Sequence, residues 1–247
     1  MEILSANNLD VGYTGPILAG LGFAIRKERI TVILGKSGCG KSTLMKTLIG
    51  LLPPLAGTVS YSNNTIDFTS EEALRKLYLK IGVLYQNGAL LNSLNLYENV
   101  ALPLRMHHHK LQKEIEREMI LSRLSQVGLR ESAAKFPSEL SGGMRKRGAL
   151  ARALILDPEV IFCDEPSAGL DPITAAGLDR LMLSLRDSFG MTLVVVTHEL
   201  RSIEAIADDV VVLGDGNLHF HGEFKDLFSN NDPFIDTFFL KKGHTDD

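Results

Sequence analysis

The sequence predicts an α/β fold with a mostly parallel core sheet, an antiparallel β edge and a helical insertion. Three observations predict it. Short apolar, β-branched runs ("ITVILG", "IGVLYQ", "EVIFCDE", "TLVVVTH") read as strands buried on both faces. Helical patterns follow several of them, at 42–51, 172–189 and 199–207, and strand–helix alternation argues for parallel pairing. Between Gln86 and Ser141 the pattern becomes mainly helical.

The elements follow in order. "MEILSANNLDVGY", "LGFAIR" and "GTVSYSNNTIDF" carry turn residues and read as antiparallel strands on one edge. In "EIEREMILSRLSQVGL", the residues Ile115, Met119, Leu121, Leu124 and Val127 recur at roughly helical spacing. The chain therefore reads as one domain, 1–247: residues 1–85 and 154–230 form the core with its β edge, 86–153 a helical subdomain, and 231–247 a tail. In the tail, Phe234 to Leu240 is a short apolar helix candidate.

Composition sets limits. The 247 residues, 45% hydrophobic, suffice for one substantial core. A net charge of -4 gives no general attraction to nucleic acid or anionic lipid, so a basic site has to be local. The longest apolar runs are strand-length, "MEILSANN" lacks a signal-peptide pattern, and two cysteines do not make a disulfide framework. The expectation is a soluble cytosolic protein, with any membrane provided by another chain.

Gly35, Gly40, Lys41 and Ser42 fit G-x-x-x-x-G-K-[ST] between a strand and a helix. The loop Gly35, Lys36, Ser37, Gly38, Cys39, Gly40, Lys41, Ser42 and Thr43 is expected to wrap the phosphates of ATP with backbone N–H groups at a helix N-terminus. Lys41 would neutralise β- and γ-oxygens and the Ser42 hydroxyl would sit on Mg²⁺. "VIFCDE" ends in two carboxylates at a strand tip, which repel unless a cation or proton intervenes. Asp164 is the candidate Mg²⁺ ligand, and Glu165 the group that polarises the attacking water. Cys39, beside a helix N-terminus, is the expected reactive thiol, and Cys163, in an apolar strand, the inert one.

A second anion cradle follows. In "LSGGMRKRGALARAL", Ser141 N-caps a helix whose Gly142 and Gly143 leave N–H groups unblocked. Arg145, Lys146 and Arg147 then stand at the wrong end of the helix dipole, a small cost unless an anion visits. One chain with two anion sites suggests that the second serves a different molecule.

These motifs together resemble the nucleotide-binding subunits of ABC transporters over nearly the whole chain. "LSGGM" resembles the family signature LSGGQ, with Met144 in place of Gln. The resemblance implies a P-loop ATPase working as a head-to-tail homodimer, with the signature of one subunit closing on the γ-phosphate held by the other. It also implies that Tyr13 stacks on adenine and that Gln86 senses Mg²⁺ and water. Asp171, in "SAGLD", would contact the partner subunit, and His198 would bond the γ-phosphate. Glu28 stands where the family often has a turn glycine. The "HHH" run, His107 to His109, reads as a solvated loop rather than a metal site.

"YQNGALLNSLNLYENVALPLR", the signature methionine and "DPFIDTFFLKKG" resemble Mce-type lipid transport ATPases of the maintenance-of-lipid-asymmetry class. That resemblance implies integral membrane permease subunits, a periplasmic Mce-domain protein, phospholipid cargo, and a place on the cytoplasmic face of the inner membrane. Amino-acid importers and lipoprotein-release systems share the general motifs. Soluble cassettes acting on DNA or ribosomes typically carry coiled-coil insertions or tandem cassettes, absent here. Residues 87–102 are expected to dock the permease through Leu90, Leu91, Leu94 and Leu96, unless these leucines pack the lobe's own core.

Overall fold

The computed structural model describes residues 1–107, 111–230 and 232–240. His108 and His109 of the "HHH" run and the last seven residues, the end of the tail, lie outside the described residues.

The chain opens with β1 (Glu2–Gly12) and β2 (Pro16–Arg26), then β3 (Ile30–Gly35) and α1 (Lys41–Leu48). Next come β4 (Ala56–Tyr61), β5 (Asn64–Thr65), α2 (Glu71–Tyr78) and β6 (Ile81–Leu84). Three helices follow: α3 (Leu96–His107), α4 (Lys113–Gln126) and α5 (Gly142–Leu154). The chain then returns through β7 (Val160–Asp164), α6 (Pro172–Phe189), β8 (Thr192–Val196), α7 (Leu200–Ile206), β9 (Asp209–Gly214), β10 (Asn217–Glu223) and α8 (Pro233–Leu240).

Two sheets form among the described residues. One is antiparallel, in the order β2-β1-β4-β5. The other runs β10-β9-β3-β8-β7-β6, parallel except for the β10 edge. Alternation along the parallel strands divides the core. Ile33, Phe162, Val194 and Val211 face α1 and the antiparallel sheet. Val32, Ile161, Val195 and Val212 face the other way, against α5, α6 and α7. With both faces covered, these strands read as continuous apolar runs.

The helices 96–154 enclose a third core, with Leu96, Val100, Ile120, Leu124 and Ile155. Here the structure corrects two expectations. The buried stripe of α4 is Ile120 and Leu124, continued by Val127, whereas Ile115 is exposed. Its period is the expected one, but its phase is set by α3 and α5. Of the leucines expected to dock a partner, Leu96 is fully buried and Leu90 packs against the cores. Leu91 remains exposed. The loop before α3 is pinned by buried Asn99, whose Oδ1 accepts from Leu91 N (2.7 Å) and whose Nδ2 donates to the carbonyls of Leu91, Leu94 and Asn95.

Candidate functional site

The sheet register explains where the site lies. Val196 of β8 stands level with both Ile33 of β3 and Asp164 of β7, and Leu84 of β6 stands level with Cys163. Four adjacent parallel strands thus end within two residues of one level, and the loops leaving their carboxyl ends open onto one place. That is where ligands of open α/β sheets collect. A cleft of about 340 Å³ sits there. Its walls are Ser37, Gly38, Gly40, Lys41, Ser42 and Thr43 from the β3 loop, Gln86 after β6, Asp164 and Glu165 at β7, and His198 after β8. Ile17 closes one side. Sequence reasoning did not find Ile17; it touches the position a side chain on Gly40 would occupy, 2.9 Å from its Cγ2.

The loop needs its glycines for conformation. Gly38 and Gly40 have φ of 79° and 103°, in the left-handed region. Gly40 ends the loop at the N-terminus of α1, which carries no acidic residue in its first turn to compete for an anion. Lys41 is buried, and its Nζ donates to the carbonyls of Gly35 (2.8 Å) and Lys36 (3.0 Å), which holds its cation across the loop.

Opposite the loop, burial and then the charge of Glu165 push the Asp164 carboxyl above its ordinary range, against Lys41 and Lys46. Asp164 Oδ1 and Glu165 Oε2 are buried without a hydrogen-bond partner. Anionic oxygens without donors, beside an exposed Ser42 hydroxyl, fit a divalent cation. No cluster of three His, Cys, Asp or Glu exists among the described residues. The donor set is therefore the kind Mg²⁺ accepts: one or two carboxylates, completed by phosphate and water oxygens. Glu165 Oε1 lies 2.7 Å from His198 Nδ1, so the histidine orients the carboxylate.

Other candidate residues lie outside this cleft's walls. Tyr13 is exposed in the β1–β2 turn, its hydroxyl accepting from Lys46 Nζ at 3.3 Å. The Lys36 side chain turns toward α8, its ammonium 4.9 Å from the Phe234 ring centre. Cys39 is half-buried, whereas Cys163 is fully buried and its thiol pushed up to about 12, first by burial and then by Asp164. Asp171 caps α6, its Oδ1 accepting from Ile173 N (3.1 Å) and Thr174 N (3.0 Å).

The second cradle carries packing contacts of its own. Ser141 does cap α5, its Oγ accepting from Met144 N at 3.2 Å. Gly143 also serves packing: a Cβ on it would stand 2.3 Å from Thr174 Cγ2. The three basic residues are directed elsewhere. Arg145 donates to the Leu140 carbonyl (2.6 Å), Lys146 to that of Glu165 (3.0 Å) and Arg147 to that of Val127 (3.3 Å). Charge in a sequence does not give direction.

Comparison with known proteins agrees with this geometry. Residues 18–168 match the family model described as ABC transporter. The probable ribonucleotide transport ATP-binding protein mkl of Mycobacterium tuberculosis is 41% identical over 209 residues, 85% of this chain. The chain spans only 58% of that relative's length. The intermembrane phospholipid transport system ATP-binding protein MlaF of Escherichia coli is 37% identical over 222 residues, 90% of this chain and 82% of the relative. Among solved structures, a dimeric post-hydrolysis ATP-binding cassette bound to ADP and Pi superposes with a TM-score of 0.81 at 29% identity, covering 90% of this chain and 98% of the other.

Proposed function

The chain belongs to the ABC transporter family, and from that premise we propose that it binds and hydrolyses ATP to drive transport, as a head-to-tail dimer with two shared nucleotide sites. The observation that carries this reading is the convergence of Lys41, Gln86, Asp164, Glu165 and His198 at the carboxyl ends of four adjacent parallel strands.

Each residue has a role its position supports. The loop N–H groups and Lys41 hold the phosphates and offset their charge. Ser42, Asp164 and Gln86 would hold Mg²⁺, which when bound neutralises charge on the β- and γ-phosphates. Glu165, fixed by His198, aligns water for attack on the γ-phosphate and takes up its proton. His198 bonds the γ-oxygens as charge develops on them. Tyr13, beside Lys46, offers a ring for adenine. The loop residues Gly35, Lys36 and Cys39 shape the cradle from behind.

Ser141, Gly142 and Gly143 do not line the chain's own cleft. That supports service to a second subunit's nucleotide, with Asp171 beside them at the shared boundary. The dimeric relative supports the same arrangement.

No helix among the described residues is long and apolar enough to cross a membrane. We place the chain on the cytoplasmic face of the inner membrane, against permease subunits. A hollow of about 360 Å³ in the helical lobe, between Tyr97, Arg105, Arg117 and Ala133, suits a helix from such a partner, with exposed Leu91 close by in sequence. Phospholipid is the proposed cargo, which the MlaF relatives support; a periplasmic Mce-domain protein is the further partner implied by the sequence resemblance.

One experiment tests the core of the proposal. Turnover per chain is measured against protein concentration, alongside the association state. Turnover that rises with dimer formation is expected by mass action. Constant turnover in demonstrably monomeric protein overturns the shared-site reading. Purification from native membranes, with identification of co-purifying permease and lipid, tests the cargo.

A further inference from the structure

Lys146 stands on the second turn of α5, yet its ammonium ends behind the cleft. The residue is 6% exposed, and its Nζ donates to the Glu165 backbone carbonyl at 3.0 Å. That backbone is unusual. Glu165 has φ of 44°, in the left-handed region that is unfavourable for a residue with a side chain. Such a conformation persists only where its surroundings over-determine it. Here Glu165 N donates to the Val196 carbonyl (2.8 Å), and the Glu165 carbonyl accepts from Ala168 N (3.2 Å) as well as from Lys146.

Packing does not account for the lysine. A methionine would fill nearly the same space without withdrawing an ammonium from water. The bond instead joins two places that the chain separates by 19 residues: the helix that begins at Ser141, and the strand end that presents Glu165.

We propose that Lys146 is a positioning residue for hydrolysis. It fixes the Glu165 peptide in its twisted conformation, so that the carboxylate meets His198 Nδ1 on one oxygen and keeps the other buried without a hydrogen-bond partner. The same bond ties each chain's signature helix to that chain's own carboxylate. In the shared-site dimer, closure of that helix on the partner's nucleotide is thereby transmitted to the other site. This inference rests on the reading that Glu165 aligns the attacking water.

The test uses the full chain and three variants: Lys146→Met, Glu165→Gln and the double variant. Lys146→Met should lower kcat roughly tenfold to a hundredfold, the scale of a misplaced catalytic group, while KM for MgATP stays within about twofold. In the Glu165→Gln background, where residual hydrolysis is followed over hours with labelled ATP, adding Lys146→Met should cost nothing further, because both changes act through one group. Should Lys146→Met fail to fold, Lys146→Gln, an uncharged donor that is one carbon shorter, should give a smaller fall in kcat with the same non-additivity. Unchanged kcat, a loss shared between kcat and KM, or losses that multiply in the double variant would overturn the inference. Near wild-type turnover in Glu165→Gln would instead overturn the reading beneath it.

Discussion

The two glycine-bearing loops use the same residue for opposite reasons. In the β3 loop, a Cβ on Gly38 would meet nothing within 4 Å, so its requirement is purely conformational, a φ of 79°. At the start of α5, Gly143 is an ordinary helical residue whose missing side chain lets α6 approach. The first loop shapes itself around a ligand with its own backbone. The second is a helix end braced by its neighbour and capped by Ser141, and in the proposed dimer it would close on the partner's nucleotide. One sequence vocabulary thus builds a loop set by backbone conformation and a helix end set by packing.

The largest contrast expected is chemical. Cys39 lies in the first loop, half-buried, whereas the Cys163 thiol, pushed up to about 12, stays protonated and enclosed at pH 8. A maleimide should label Cys39 on the order of a thousandfold faster. MgATP should protect it if the loop wraps phosphate. Labelling of both, or no protection, breaks the assignment of the first loop as the binding surface.

Next come the variants that separate binding from closure. Glu165→Gln should lower turnover by about 10²–10³ while MgATP still binds, in line with loss of a preorganised electrostatic contact. Ser141→Arg should also retain MgATP binding, because the first loop is untouched, yet abolish hydrolysis by placing bulk and charge in the partner's site. Equilibrium binding of a fluorescent ATP analogue, run beside steady-state turnover, checks both. Loss of binding in Ser141→Arg would mean that the second loop belongs to its own chain's site.

Gly143→Ala sharpens the packing half of the comparison. The new methyl meets Thr174 Cγ2 at 2.3 Å, a buried clash that should cost about 1–3 kcal/mol of stability. Thr174→Ser removes that methyl and should restore most of the loss in the double variant. Gly38→Ala should instead weaken nucleotide binding more than folding. Chemical denaturation of the four proteins decides it, and no rescue by Thr174→Ser would refute the packing account.

These contrasts mark what the sequence could express. Strands "ITVILG" and "TLVVVTH" were legible because burial on both faces leaves an unbroken apolar run. The carboxylates and the phosphate loop were legible because spacing along one chain suffices to define them. Helix α2 was not read: it is only two turns long and buries only Leu77, although Ala73, Leu74, Leu77 and Tyr78 recur at helical spacing and Ser70 caps it through Ala73 N. Lys146 and Asn99 were missed for another reason. Each acts on a backbone carbonyl, and no residue type advertises a carbonyl. Glu28 shows the reverse case, a departure from an expected glycine that folds with φ of 59° all the same, its N–H donating to Thr192 Oγ1 at 3.0 Å.

The smallest effect expected lies at Asp164, and its sign separates a binding surface from a structural one. Burial and the Glu165 charge hold the Asp164 carboxyl above its ordinary range. Ionising it in the folded chain therefore costs more than in the unfolded chain. The penalty is absent below the ordinary carboxylate range, where Asp164 is protonated in both states. It grows as pH rises through that range and the raised one. Asp164→Asn removes it. Without Mg²⁺ or nucleotide, the variant should be more stable than the parent by about 1 kcal/mol at pH 7, a typical gain when a strained functional group is neutralised. For a domain of this size that is a Tm rise of about 2–4 °C. The difference should shrink toward zero near pH 4. MgATP should then raise the parent's Tm and leave the variant's almost unmoved, since Asp164 is assigned to the cation. A variant no more stable than the parent at pH 7 would mean that the carboxylate is satisfied within the fold and belongs to its architecture rather than to a ligand.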